Sequence, residues 1–129
     1  MSKIFAFWAL NSSPAHVTYT LNPAVSHTIA YCMNINVDRS ITYDTQGNTI
    51  SAATSEAWLR GIINGTRDEG KLSIVSFFCS SSTMTQTQLN ALFSTQTIRE
   101  ELADNLIEAV ENVNGDGINL DIEFPQIWG

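Results

Sequence analysis

The segment Asp116-Gly117-Ile118-Asn119-Leu120-Asp121-Ile122-Glu123-Phe124-Pro125 alternates apolar residues with acids or amides over the length of one β-strand. Successive side chains of a strand point to opposite faces, so Asn119, Asp121 and Glu123 are expected on one face and the apolar residues on the other. The pattern therefore places two carboxylates beside each other on a polar face.

The apolar face of this strand is expected to pack against another layer of the protein. Its residues are strong β-formers, and a helix-like segment ends just before it, at Asn114-Gly115, which predicts a layer of helices. The polar face would then line a cavity or meet water. Alternation alone fits an antiparallel strand with one solvated face equally well, so the pattern by itself leaves both arrangements open.

The order of the acids resembles a known signature. The pattern Asp-Gly-x-x-x-Asp-x-Glu-x-Pro is similar to the fourth-strand motif of glycoside hydrolase family 18, the chitinases and related N-acetylglucosaminidases. The usual motif reads Asp-Gly-x-Asp-x-Asp-x-Glu, followed by an aromatic residue and proline. Asn119 stands where that motif has an aspartate. The matching residues are Asp116, Gly117, Asp121, Glu123, Phe124 and Pro125.

Two earlier segments are similar to other strands of the same family. Residues 26–38 resemble its second strand, and residues 71–76 resemble its third. The family continues the third strand with Ser-x-Gly-Gly, whereas this chain has Phe77-Phe78-Cys79. Because glycine permits a close backbone approach that phenylalanine does not, the substrate-side loop after this strand is expected to differ.

The periodicity predicts strands and helices in alternation. Strands are expected at 3–10, 27–36 and 71–76 and in the acidic segment, and a short excursion, which could be a hairpin, around 41–43. A helix is expected over 54–66, with Thr54 or Ser55 as its cap. A short helix is expected at 88–93, and Thr97 with Glu100 predicts a capping box for a longer one. Its buried stripe comprises Ile98, Leu102, Leu106 and Val110, widened by Ala103, Ile107 and Ala109.

This order predicts an α/β fold of parallel β/α units. The family resemblance implies a (β/α)8 TIM barrel, of which 129 residues provide only the first four strands, because a complete barrel needs about 250 residues. Residues 1–129 are thus interpreted as a single domain, the N-terminal half of a chitinase-like barrel. A half-barrel leaves two edge strands, so three arrangements are open: a fragment of a longer protein, a homodimer in which a second copy pairs with the edges, or a smaller open sheet.

The resemblance also implies roles for individual residues. Glu123 would be the general acid and Asp121 would orient the substrate's N-acetyl group, whose oxygen attacks the anomeric carbon. Asn119 would support Asp121 by hydrogen bonding without adding charge. Asp116 is expected to be structural, bonded to backbone amides. Trp8 and Trp128 are candidates for sugar stacking.

Composition excludes several other functions. A net charge of -7, with only six Lys and Arg scattered singly, provides no basic surface for nucleic acid. No apolar run reaches membrane-spanning length, and residues 4–10 fit a first strand better than a signal sequence. The acids lack nearby histidines, so neither a metal nor a cofactor is implied, and Cys32 and Cys79 are expected to be buried free thiols. Localisation is open, since chitin-degrading relatives are often secreted.

Three functional hypotheses remain open at this stage. The first is a glycosidase that hydrolyses β-1,4-linked N-acetylglucosamine glycans once its barrel is complete, and retention of Glu123 favours it. The second is a lectin-like module that binds such polysaccharides or oligosaccharides without turnover, favoured by the absence of the glycine pair and of charge at Asn119. The third is an oligomerising α/β protein without sugar activity.

Overall fold

The computed structural model describes residues 3–9 and 23–124 of the chain. They form five strands and three helices. The strands are β1 (Phe5–Ala9), β2 (His27–Ile35), β3 (Ile41–Tyr43), β4 (Leu72–Ser80) and β5 (Gly117–Glu123), and the helices are α1 (Ala52–Asp68), α2 (Gln86–Leu92) and α3 (Gln96–Asn112).

The sheet confirms the predicted half-barrel. Four parallel strands lie in the order β1-β2-β4-β5, as in the first half of a TIM barrel. Among the described residues, α1 lies between β2 and β4 in the chain, and α2 and α3 lie between β4 and β5. The predicted excursion forms β3, which pairs antiparallel with the end of β2. None of the helices among the described residues is long and apolar enough to cross a membrane.

The two central strands are covered on the helix side of the sheet. Residues of β2 and β4 on that side join the helices in one hydrophobic core, and the register of β2 shifts by one residue between Tyr31 and Met33. From the strands this core includes Ala30, Met33, Ile35, Val75, Phe77 and Cys79. We call this side of the sheet the outer face and the opposite side the inner face.

Both predicted helix caps are wrong by a few residues. Ser51 caps α1 by accepting a hydrogen bond from the Thr54 amide, so Thr54 and Ser55 lie inside the helix. Thr95 caps α3, and Thr97 lies in its first turn. In both cases another serine or threonine, equally suited to cap a helix, lies two to four positions before the predicted cap. Residue type alone does not distinguish between such candidates.

The predicted apolar faces are buried only in part. Leu102, Leu106, Ala109 and Val110 of α3 are buried, whereas Ala103 and Ile107 are exposed. Ile122 of β5 packs against the core, and Phe124, directly after β5, is buried. Ile118 and Leu120, expected beneath helices, are 40% and 48% exposed. The described residues place no helix over them, because β5 is an edge of the sheet.

Gly115 joins α3 to β5 at a point of close packing. A Cβ there would lie 2.7 Å from Val75 Cγ2 and 3.0 Å from Val110 Cγ1, and both valines are buried. We expect Gly115→Ala to lower the free energy of unfolding by about 1–3 kcal/mol because the core must shift. Urea denaturation would measure it.

Gly61, within α1, is the matched control for this substitution. A Cβ at Gly61 meets nothing within 4 Å, so Gly61→Ala should stabilise the protein by about 0.5–1 kcal/mol through helix propensity. Effects of the same sign at both positions would contradict the close packing assigned to Gly115.

Candidate active site

The acids of β5 lie on the inner face at the carboxyl-terminal edge of the parallel strands. The register pairs Asn119 with Ser76, Asp121 with Phe78, and Glu123 with Ser80. Asp121 is half-buried and Glu123 is exposed. Two residues of strand separate them by roughly 6.6 Å along the sheet, so both carboxylates face the same mouth. In TIM barrels this edge carries the catalytic residues.

The amide of Asn119 is held by the neighbouring strand. Its Nδ2 donates a hydrogen bond to the Ser76 hydroxyl over 3.0 Å, and Ser76 is fully buried. Asn119 therefore has a fixed orientation immediately before Asp121 without contributing a charge. The serine was not singled out from sequence; the register of β4 against β5 reveals it.

A compact turn after β4 supports Glu123. The Ser81 amide donates to the Glu123 carbonyl oxygen over 3.1 Å, which joins the turn to the end of β5. Within the turn, the Ser80 amide donates to the Thr83 hydroxyl, and the Ser80 and Ser82 hydroxyls lie 2.6 Å apart. The serine run 80–82 thus fixes the backbone that carries the acid.

Two aromatic side chains lie next to the acids. Tyr31 and Phe78 form an edge-to-face pair with ring centroids 6.1 Å apart. Phe78 is opposite Asp121 in the register, so it lies on the inner face, whereas Cys79 lies in the core on the outer face. Phe78 and Cys79 stand where the family motif has its two glycines, and of these two residues only Phe78 lies at the candidate site.

Burial and negative charge determine the protonation of the groups around the acids. Burial raises the pKa of Tyr31, and the nearby Cys32, Asp121 and Glu123 raise it further. Burial, with the charge of Asp44, raises the pKa of the Cys32 thiol to about 12. Both cysteines are buried free thiols, as predicted.

Asp116 lies at the other end of β5, away from the mouth. Its carboxylate accepts a hydrogen bond from the Ser73 amide over 2.9 Å and from Arg67 over 3.1 Å. The Arg67 guanidinium also donates to the Asn114 carbonyl oxygen. These contacts connect α1, β4 and the start of β5, which is a structural role.

The structure does not test the two tryptophan candidates. Trp8 lies in β1, in register with Ala30 of β2, and Trp128 lies outside the described residues. Sugar stacking by either tryptophan stays a prediction. Across residues 3–9 and 23–124, no group of three or more His, Cys, Asp or Glu could hold a metal ion.

The fold is similar to that of solved chitinases. A chitinase from Rhizomucor miehei matches with a TM-score of 0.66 and 16% identity, over 94% of this chain and 33% of that chain. Catalytic domain 2 of the Ostrinia furnacalis Group II chitinase, as a mutant in complex with penta-N-acetylchitooctaose, matches with a TM-score of 0.62 and 11% identity, over 90% and 30%.

A third match extends beyond chitinases. The spore cortex-lytic enzyme of Bacillus cereus has a TM-score of 0.65 and 12% identity, over 92% of this chain and 26% of that chain. The chain thus spans about a third or less of the structures it matches. No protein-family model and no curated protein sequence matches it. These similarities define the fold, a partial chitinase-like TIM barrel.

The raised pKa values of Cys32 and Tyr31 predict an alkaline loss of stability. Above about pH 8.5 an unfolded thiol loses its proton while Cys32 in the folded state keeps it, so the unfolded state binds fewer protons. The stability contributed by the raised pKa of Cys32 should be constant below that pH and fall above it by about 1.4 kcal/mol per pH unit, and Tyr31 adds to the loss only above about pH 10. Urea denaturation at pH 7, 9 and 10 would measure this.

Cys32→Ala provides the control for this pH dependence. The substitution should make the free energy of unfolding fall less steeply with pH above about 8.5. The variant is also less stable at pH 7, because the packing of the Cys32 side chain is lost. An unchanged slope in Cys32→Ala would show that the thiol does not ionise as described.

Proposed function

We propose that this chain is the acid-bearing half of a chitinase-like glycosidase that acts on β-1,4-linked N-acetylglucosamine glycans. The observation that supports this most is the position of Asp121 and Glu123 together on the inner face, at the carboxyl edge of a fold similar to the solved chitinases. One relative was solved with penta-N-acetylchitooctaose, a ligand of this class.

In the proposed mechanism, Glu123 donates a proton to the glycosidic oxygen as the bond to the leaving sugar breaks. Its exposure at the mouth allows it to reach that oxygen. The substrate's N-acetyl oxygen attacks the anomeric carbon, so the protein needs no carboxylate nucleophile. Asp121 holds the N-acetyl group and stabilises the positive charge of the cyclic intermediate. Glu123 then removes a proton from the water that opens the ring.

Asn119 modifies this mechanism without removing a reacting group. Its amide is oriented by Ser76 and can hydrogen-bond Asp121, but it cannot share a proton with it as an aspartate would. We expect slower proton cycling between the residues of β5 rather than its loss.

Release of nitrophenol from a nitrophenyl N-acetylchitobioside, measured at a concentration at which the chain has assembled into a complete barrel, tests the proposal. Glu123→Gln keeps the size of the side chain and removes the acid, so we expect the rate to fall about 10²–10⁴-fold. Glu111→Gln, an exposed acid at the end of α3, is the matched control and should leave the rate unchanged. Equal rates in Glu123→Gln and the unmodified chain would contradict the proposal.

A second candidate function is glycan binding without hydrolysis. Two departures from the family pattern favour it: Phe78 occupies the inner face beside Asp121, and Asn119 contributes no charge. In that case the unmodified chain binds N-acetylchitooligosaccharides but releases no nitrophenol, and Glu123→Gln does not change the affinity.

We also propose that the two edge strands pair with further β/α units, supplied in a homodimer by a second copy. Within the described residues β1 pairs only with β2, and β5 only with β4. Phe5 and Phe7 of β1 are 50% and 70% exposed. Rotation about the barrel axis would place β1 of each copy beside β5 of the other, in the parallel orientation, and would enclose these side chains.

Light scattering across a range of concentrations tests this pairing, with an expected molar mass of two chains. Phe7→Glu would place a carboxylate inside the closed barrel and should shift the mass towards one chain. Ile107→Glu changes an equally apolar residue that is exposed on α3 and should leave the dimer intact. A molar mass of one chain at high concentration would exclude the homodimer.

A further inference from the structure

A second concave site lies next to the acid pair, on the other side of Phe78. It is a cavity of about 190 Å³ at the carboxyl ends of β2 and β4. Phe78, Val37 and Ile35 supply its apolar lining, and Asn34, Asn36 and Thr83 supply its polar lining. A mixture of an aromatic side chain with amides and a hydroxyl suits a sugar, which has apolar ring faces and polar edges.

The two asparagines of this cavity differ in their availability. Asn36 is engaged, because its Nδ2 donates to the Ser40 and Thr42 hydroxyls and to the Ser40 carbonyl oxygen. Asn34 is half-buried, and its side chain has no hydrogen bond to any described residue. It shares the inner face with Phe78, its partner in the register. Asn34 is therefore the polar group free to bind a ligand there.

The register also fixes where this cavity lies relative to the acids. Asn34, Phe78 and Asp121 stand in one row across β2, β4 and β5. Neighbouring strands are roughly 4.8 Å apart, so Asn34 and Asp121 are separated by about 9.6 Å, with Phe78 between them. A linked glycan whose reacting unit lies at Asp121 can cross Phe78 and reach the cavity.

We infer that Phe78 and Asn34 form an additional sugar-binding subsite, which selects longer N-acetylglucosamine oligosaccharides over the monosaccharide. This rests on the proposed function. Phe78 would contact the apolar face of a pyranose ring, and Tyr31 supports Phe78 through the edge-to-face contact. The Asn34 amide would bond to a hydroxyl or acetamido group of the same unit.

Titration calorimetry and NMR in the Glu123→Gln background test the subsite without turnover, with N-acetylglucosamine and N,N',N'',N'''-tetraacetylchitotetraose as probes. Phe78→Leu keeps an apolar side chain but removes the ring, and should weaken tetrasaccharide binding about tenfold. Asn34→Ala should weaken it about fivefold. Asn34→Ala should leave monosaccharide binding within about twofold, since that unit occupies the acid site and Asn34 lies two strands away from Asp121.

Phe93→Ala is the matched control, because Phe93 is a half-buried phenylalanine that lines a separate cavity with Leu89 and Ile122. It should leave tetrasaccharide affinity unchanged. Unchanged affinity in folded Phe78→Leu and Asn34→Ala would overturn the subsite while leaving the proposed function intact. If the Glu123→Gln chain binds neither sugar and the chain with Glu123 intact releases no nitrophenol, the subsite and the proposed function are both overturned.

Discussion

The candidate site depends on one interaction, the in-register parallel pairing of β4 with β5. The pairing is fixed at its start by Asp116, whose backbone amide donates to the Ser73 carbonyl oxygen and whose carboxylate accepts from the Ser73 amide. Arg67 holds the same carboxylate from α1. A slip of one residue would turn Asp121 and Glu123 to the outer face. Asp116 thus contributes to the site although it is far from the mouth.

The same sheet exposes apolar side chains at both of its edge strands. The outer face of β5 exposes Ile118 and Leu120, and the inner face of β1 exposes Phe5 and Phe7. Burying such side chains stabilises a protein by about 1.5–3 kcal/mol each, so exposure on both edges favours further pairing. In a closed barrel the next β/α unit covers the first pair and the opposite wall covers the second. The exposure of these four residues is therefore what a partial barrel is expected to show.

Much of this arrangement could be predicted from sequence, because it follows from local patterns. Period-two alternation gave the face of Asn119, Asp121 and Glu123, and alternating strands and helices gave the parallel fold. The helix starts could not be placed as well, because Ser51 and Thr95 compete with equally good neighbouring caps. The exposure of Ile118 and Leu120 depends on which strand lies beside β5, and the pattern of that strand does not contain this information.

Residues contributed by other strands were harder to predict for the same reason. Ser76, Phe78 and Tyr31 reach the acids only through a register set by tertiary packing. The resemblance of residues 71–76 to the third strand of the family supplies only the part of this register up to Ser76. Trp128 lies outside the described residues, so its proposed stacking role rests on sequence alone.

The departures from the chitinase-like pattern are distributed unevenly over the two faces of the sheet. Cys79 replaces a glycine on the outer face, where it simply fills the core. Asn119 and Phe78 lie on the inner face: Asn119 is two residues before Asp121 on β5, and Phe78 is opposite Asp121 on β4. One removes a charge and the other adds an aromatic ring, and both make the surroundings of Asp121 less polar. A neutral glycan is recognised through ring faces and hydrogen bonds rather than charge, so under the proposed function these two changes would favour sugar binding over rapid proton transfer.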